Sequence, residues 1–220
     1  MLYGKRRRDL LEAALLFLIA LFLNVGGQSV RTRDALSEKL IRLHALANSD
    51  TEADQALKLE VRDRILRETA SLTESARSRD EAIALLRERL PALADAASET
   101  VQASGYAYPV TLELREDDFP TRDYGAFALP AGRYLALRVI IGRGAGRNWW
   151  CVMFPPLCGA ASLEVSDGSG VIATSGGVGA TSEAYFTADE ISLMTRKNGA
   201  YALKFRVMEY WEAARKIWRK

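Results

Sequence analysis

Eleven consecutive residues, Asn148-Trp149-Trp150-Cys151-Val152-Met153-Phe154-Pro155-Pro156-Leu157-Cys158, constrain the fold of this chain more than any other stretch. Adjacent tryptophans, a Pro-Pro step and both cysteines of the protein fall together there. Proline cannot donate to a sheet ladder, and neighbouring indoles pack poorly side by side. Such a cluster is either a rigid corner at the end of a strand or a surface that grips a partner. Trp149, Trp150, Phe154, Pro155 and Pro156 are residue types that dominate interface energetics, and proline rigidity lowers the ordering cost of binding. One face of such a strand can be buried while the other is presented.

The N-terminus has the build of an export signal. Lys5, Arg6, Arg7 and Arg8 precede an unbroken apolar run over residues 13–23, and small residues follow at Val25, Gly26 and Gly27. The run is short of the roughly 20 residues a membrane span needs, but fits a signal core. The basic cluster should stay cytoplasmic, so the rest is expected to be exported. Residues 1–28 then act as a cleaved signal or as an N-terminal membrane anchor. The whole chain has 30 Lys+Arg against 28 Asp+Glu, and removing the four basic and two acidic residues of this segment leaves 26 of each. A nucleic-acid protein keeps a basic excess on one face, so no nucleic-acid partner is expected. Outside the cytosol Cys151 and Cys158 can form a disulfide, which would contribute about 2–3 kcal/mol by loop entropy. Two free, buried cysteines are the competing reading.

The pattern along the chain predicts an α+β fold: two early helices packed on a small antiparallel sheet, then a Gly-rich linker and a C-terminal strand and helix. A strand is expected over residues 40–47. Asn48, Ser49 and Asp50 offer caps to a helix whose buried face is Ala53, Leu57, Val61 and Ile65, with Lys58, Glu60, Arg62 and Asp63 on the other sides. Ser78 and Asp80 open a second helix with the stripe Ile83, Leu86, Leu90, Leu93, Ala97 and Val101. Pro91 should kink or split it, and Gly105 should cap it. Alternation predicts strands over 110–114 and 134–141, the latter with Leu135, Leu137, Val139 and Ile141 on one face. Residues 117–125 read as a loop. Gly142, Gly144 and Gly146 form a turn, and residues 149–154 are the expected antiparallel partner across it. The α+β domain is placed at 29–165 and the Gly/Ser-rich linker at 166–184. Residues 185–220 form the tail, with alternation at Tyr201, Leu203, Phe205 and Val207, then a helix bearing Trp211, Ala214 and Trp218.

Little here suggests catalysis. The single histidine, His44, lies in the first strand, and a Cys151–His44 dyad for an extracytoplasmic hydrolase is the alternative to a binding protein. A lone strand histidine is more often packed or hydrogen-bonded. Asp50 with Asp54, and Asp117 with Asp118, lack His or Cys at ligand spacing, so no metal is expected. The glycines at 142, 144 and 146 precede an aromatic strand rather than a helix, so no dinucleotide or other cofactor is expected either. A structural protein of the cell envelope is a third, weaker reading.

Several ungapped motifs resemble one family. His44-Ala45-Leu46-Ala47-Asn48-Ser49-Asp50, Asp54-Gln55-Ala56-Leu57-Lys58-Leu59 and Val61-Arg62-Asp63 are similar to the opening of stage II sporulation protein R. Phe119-Pro120-Thr121 with Tyr124-Gly125, Leu129-Pro130-Ala131-Gly132, and Ala136-Leu137-Arg138-Val139 continue the likeness, and residues 148–158 resemble its most distinctive block. The resemblance spans about residues 41–160, with an echo at Lys204-Phe205-Arg206-Val207. It implies a signalling protein of endospore-forming bacteria, made in the forespore and exported between the two membranes. There it would trigger a membrane aspartic protease of the mother cell that cleaves the precursor of sporulation sigma factor E. No catalytic residues and no small-molecule substrate come with this reading. The motif positions carried over as the partner-binding surface are Asn148, Trp149, Trp150, Phe154, Pro155 and Pro156, with Asn48 and Asp50 secondary.

Overall fold

The computed structural model describes residues 2–124, 127–157, 163–165, 172–174, 185–194, 205 and 210. The chain divides into two units, one made of residues 1–35, 121–131 and 188–220, the other of residues 36–120 and 132–187.

The second unit carries the predicted α+β architecture. Strand β1 (Ile41–Leu46) leads through a tight turn into helix α2 (Glu52–Ser75), which α3 (Arg79–Ala103) follows. Thr51 caps α2, its hydroxyl accepting from the Asp54 N–H, one residue beyond the three that the sequence offered. The buried face of α2 includes Asp54, Leu57, Lys58, Val61 and Ile65. Ala53 is exposed instead, and Lys58, expected at the surface, is 4% exposed. Ser78 caps α3 as expected, and α3 runs through Pro91 as one helix rather than splitting. Pro91 is exposed. At the other end Gly105 takes φ +83°, its N–H donates to Gln102 and that of Tyr106 donates to Val101. These two bonds make the paired closure that a left-handed residue allows.

Strand β2 (Val110–Phe119) is twice the length expected, so Asp117, Asp118 and Phe119 belong to a strand and not to a loop. Strands β5 (Gly132–Ile141) and β6 (Asn148–Phe154) complete a four-stranded sheet in the order β2-β5-β1-β6. β1 pairs parallel with β5 and antiparallel with β6. The sheet is therefore mixed, and β5 and β6 do not form the expected hairpin. Two strands joined by a short Gly-rich turn read as a hairpin by default, but here β1 lies between them and the loop over residues 142–147 steps across its end.

One face of this sheet is apolar. Ile41, Leu43 and Ala45, the β5 residues Leu135, Leu137, Val139 and Ile141, and Cys151 pack with Leu57, Val61 and Ile65 of α2 and Leu86, Leu93, Ala97 and Val101 of α3. β7 (Leu163–Val165) and β8 (Ile172–Thr174) pair antiparallel, the latter within the stretch read as linker. Gly168, Gly170, Gly176, Gly177 and Gly179 lie outside the described residues.

In the other unit, α1 (Leu2–Ser37) spans the signal-like segment and the residues after it. Leu10, Leu11, Leu15, Leu16, Phe17 and Ile19 are exposed along it. Among the described residues no helix is long and apolar enough to cross a membrane. Strands β3 (Arg122–Asp123) and β4 (Ala128–Leu129) form a small antiparallel pair, and α4 (Ala188–Met194) packs against β4. Phe205, expected in a strand, is helical, as is Tyr210. Four alternating apolar residues are too short a run to separate strand from helix, and the helix-forming residues after them favour the helix. Tyr201, Leu203, Val207, Trp211, Ala214 and Trp218 lie outside the described residues.

Candidate functional site

The site is built on the sheet face turned away from α2 and α3. Side chains alternate across a strand, so Arg42 and His44 of β1 share this face. By register His44 lies between Arg138 of β5 and Trp150 of β6, and Arg138 is in turn opposite Glu113 of β2. His44 is 7% exposed. Its Nδ1 stands 2.6 Å from Asp117 Oδ2 and its Nε2 stands 2.8 Å from Asn148 Oδ1. The imidazole stacks on Trp150 with centroids 5.6 Å apart and 21° between the planes. Arg138 donates to Glu113 through Nη1 at 3.1 Å, and its Nε forms an ion pair with Asp117 at 3.1 Å. Below this row the fully buried Arg42 holds its guanidinium 4.0 Å from the Phe119 centroid and 5.0 Å from that of Tyr134. Burial of an arginine costs several kcal/mol unless compensated, and two aromatic faces supply part of that compensation.

The expected partner surface is divided by the pleat of β6. Trp150 faces the polar network, whereas Trp149 packs on the helix side under Arg62, whose guanidinium is 4.6 Å from the ring centroid. Both indoles are half-buried and Asn148 is exposed. Phe154 and Pro155 are buried and Pro156 half-buried, with Phe154 edge-on to Tyr185 at 5.8 Å. The Phe-Pro corner is thus packed, while Asn148 is exposed and Trp150 half-buried.

Asn48 and Asp50 have a different place. Asn48 accepts from the Arg143 N–H through Oδ1 at 3.1 Å and donates to Asp54 Oδ2 at 2.9 Å. Asp50 accepts from the Arg147 N–H at 2.6 Å. The Lys58 ammonium donates to the Arg147 carbonyl at 2.8 Å and to Gln55 at 2.7 Å. Together these tie the β5–β6 loop to the β1–α2 turn. A Cβ at Gly146 would overlap the Ser49 carbonyl oxygen, so that approach needs glycine. Hydrogen bonds from Ser49 and Asn48 hold the Asp54 carboxyl below its usual range against the opposing effect of burial. Burial, aided by the charge of Arg147, holds the Lys58 ammonium below its usual value.

A Cys–His pair is not assembled. Cys151 pairs with Leu43 in register and shares the helix-side core with it, 3% exposed, whereas His44 faces the other way. Cys158 lies outside the described residues, and the expected disulfide with it. Among the described residues no three His, Cys, Asp or Glu side chains are grouped to hold a metal. Sequence reasoning found His44, Asn148 and Trp150 but missed Asp117, Arg138 and Arg42. Their signal was present: assigning Leu137 and Val139 to the core puts Arg138 on the opposite face, and Arg42 is two residues from His44.

The model of the family described as stage II sporulation protein R matches residues 37–163, more than half of the chain. A protein named stage II sporulation protein R from Bacillus subtilis (strain 168) is 38% identical over 136 residues, covering 62% of this chain and 59% of that protein. The chain thus spans less than two thirds of this relative's length. No solved structure matches. The matched region holds β1, α2, α3 and the four-stranded sheet with its polar face, and the chain belongs to the stage II sporulation protein R family.

Proposed function

We propose that this protein acts in sporulation as an exported signal between the two compartments, activating a membrane aspartic protease of the mother cell by direct contact. The protease then cleaves the precursor of sporulation sigma factor E. The observation that carries this reading is the family match across residues 37–163. Three features support it. The segment after the N-terminal signal is neutral, the surface at Asn148 and Trp150 combines an exposed amide with a half-buried indole, and Cys151 and His44 face opposite sides of the sheet. The last of these takes support away from a cysteine hydrolase. The partner is a protein, with the membrane reached through the N-terminal segment, and neither nucleic acid nor a small molecule enters the mechanism.

Reconstitution in a non-sporulating host tests this. The chain is co-expressed with the membrane protease and the sigma-factor precursor. Cleavage is expected only when the chain is present, and Trp150→Ala is expected to reduce it at least tenfold while leaving a folded, exported protein. Absence of cleavage with export and folding verified would overturn the activator reading. Full activity of Trp150→Ala would remove this surface from it.

A further inference from the structure

His44 is the only histidine in the sequence, and both of its ring nitrogens are engaged. A carboxylate oxygen only accepts, so Nδ1 carries the hydrogen in its 2.6 Å contact with Asp117. The state of Nε2 decides the rest. If Nε2 also bears a hydrogen, the ring is an imidazolium, Asn148 Oδ1 accepts from it, and the amide NH2 turns outward. If Nε2 is bare, it accepts from the amide NH2, and the oxygen turns outward. The two arrangements share heavy-atom positions and differ by a half-turn of the amide. Asn148 is exposed, and its side chain makes no other hydrogen bond among the described residues.

We propose that the charge on His44 sets the hydrogen-bonding polarity of the Asn148–Trp150 surface. The imidazolium presents two amide N–H donors beside the indole, and the neutral ring presents an acceptor in their place. The imidazolium pairs Nε2–H with the Asn148 amide oxygen across the 2.8 Å contact and leaves the NH2 outward. That arrangement fits a peptide segment that offers an acceptor oxygen next to an apolar group. The charged and titratable groups around the ring are Asp117 and Glu113 of β2, Arg138 of β5 and Arg42 of β1, while β6 contributes only Asn148 and Trp150. Asp117 faces the ring directly and shares its charge with Arg138, so the imidazolium has a partner that does not depend on the surface amide. His44 is thus a positioning residue. Only the identity of the partner rests on the activator reading; the coupling belongs to the folded chain.

The test begins on the isolated full-length protein by NMR, following the His44 ring and the Asn148 side-chain NH2 from about pH 5 to 8. The Asn148 NH2 resonances are expected to shift with the same midpoint as the His44 ring, and to stay flat in His44→Gln. A titrating ring with a static Asn148 amide in the wild-type protein overturns the coupling, and that result needs no variant to fold. The second arm measures precursor cleavage over the same range. Activation is expected to be lost in step with the His44 charge that the NMR signal reports, with Asn148→Asp inactive throughout because it has only acceptors. Constant activation in spite of the NMR coupling overturns the acceptor-bearing partner. No activation at any pH, with the NMR coupling intact, overturns the activator reading and upholds the coupling.

Discussion

Asp54 lies 4% exposed under the turn that Asn48 and Ser49 form, and both donate to its carboxylate. The folded chain therefore holds this proton less tightly than the unfolded chain, whose carboxyl titrates near 3.8. A depressed folded value adds stability that is full above the unfolded value and is lost as pH falls through the folded one. Wild-type melting temperature is expected to drop more steeply below about pH 4 than that of Asp54→Asn. At neutral pH the variant should lose on the order of 1–2 kcal/mol, because a neutral amide oxygen replaces the charged oxygen that both donors share. Equal slopes in a thermal titration would show that the carboxylate is not the acid-sensitive group. At this scale the sequence identified Asn48 and Asp50 as special, but their register with Arg143 and Arg147 across 95 and 97 positions of chain was invisible to it.

Helix α3 tests how an element tolerates its own sequence. Pro91 removes one backbone hydrogen bond in the middle of a helix, at about 3 kcal/mol relative to alanine. Removing it also frees the unfolded chain, which offsets up to about 1 kcal/mol. Pro91→Ala should therefore stabilise the protein by about 2 kcal/mol, read as a higher urea midpoint at unchanged slope. A lower midpoint would mean that Pro91 stabilises the folded helix. Gly105 was legible for a different reason: a glycine just past a periodic stripe is a local signal, and the closure it makes is local too. Similarly, alternation along residues 135–141 gave the core face of β5 correctly. The pairing of β6 was not legible, because alternation states which face a residue takes and says nothing about which strand lies beside it.

For the molecule as a whole, the two tryptophans separate folding from recognition. Trp149 packs with the core cluster and under Arg62, so Trp149→Ala should cost about 2 kcal/mol. Its effect on precursor cleavage should follow the amount of folded protein. Trp150→Ala should reduce cleavage per folded molecule instead. Denaturation of both variants alongside the cleavage assay checks this, and a Trp149→Ala protein as stable as wild type would contradict the placement of that indole.

What the sequence determined alone were properties carried by neighbouring residues: the Ser78 and Gly105 caps of α3, the periodic faces of α3 and β5, the Leu57, Val61 and Ile65 part of the α2 face, the charge balance, and the family motifs. These depend on interactions within a few positions, where spacing dictates geometry. What the tertiary structure decided was the insertion of β1 between β5 and β6, and with it the convergence of Asp117, Arg138, His44 and Asn148 on one face. Those residues lie up to 104 positions apart in the chain. Their meeting follows from the register of three strand pairings at once, which the core residues on the opposite face select through the area they bury.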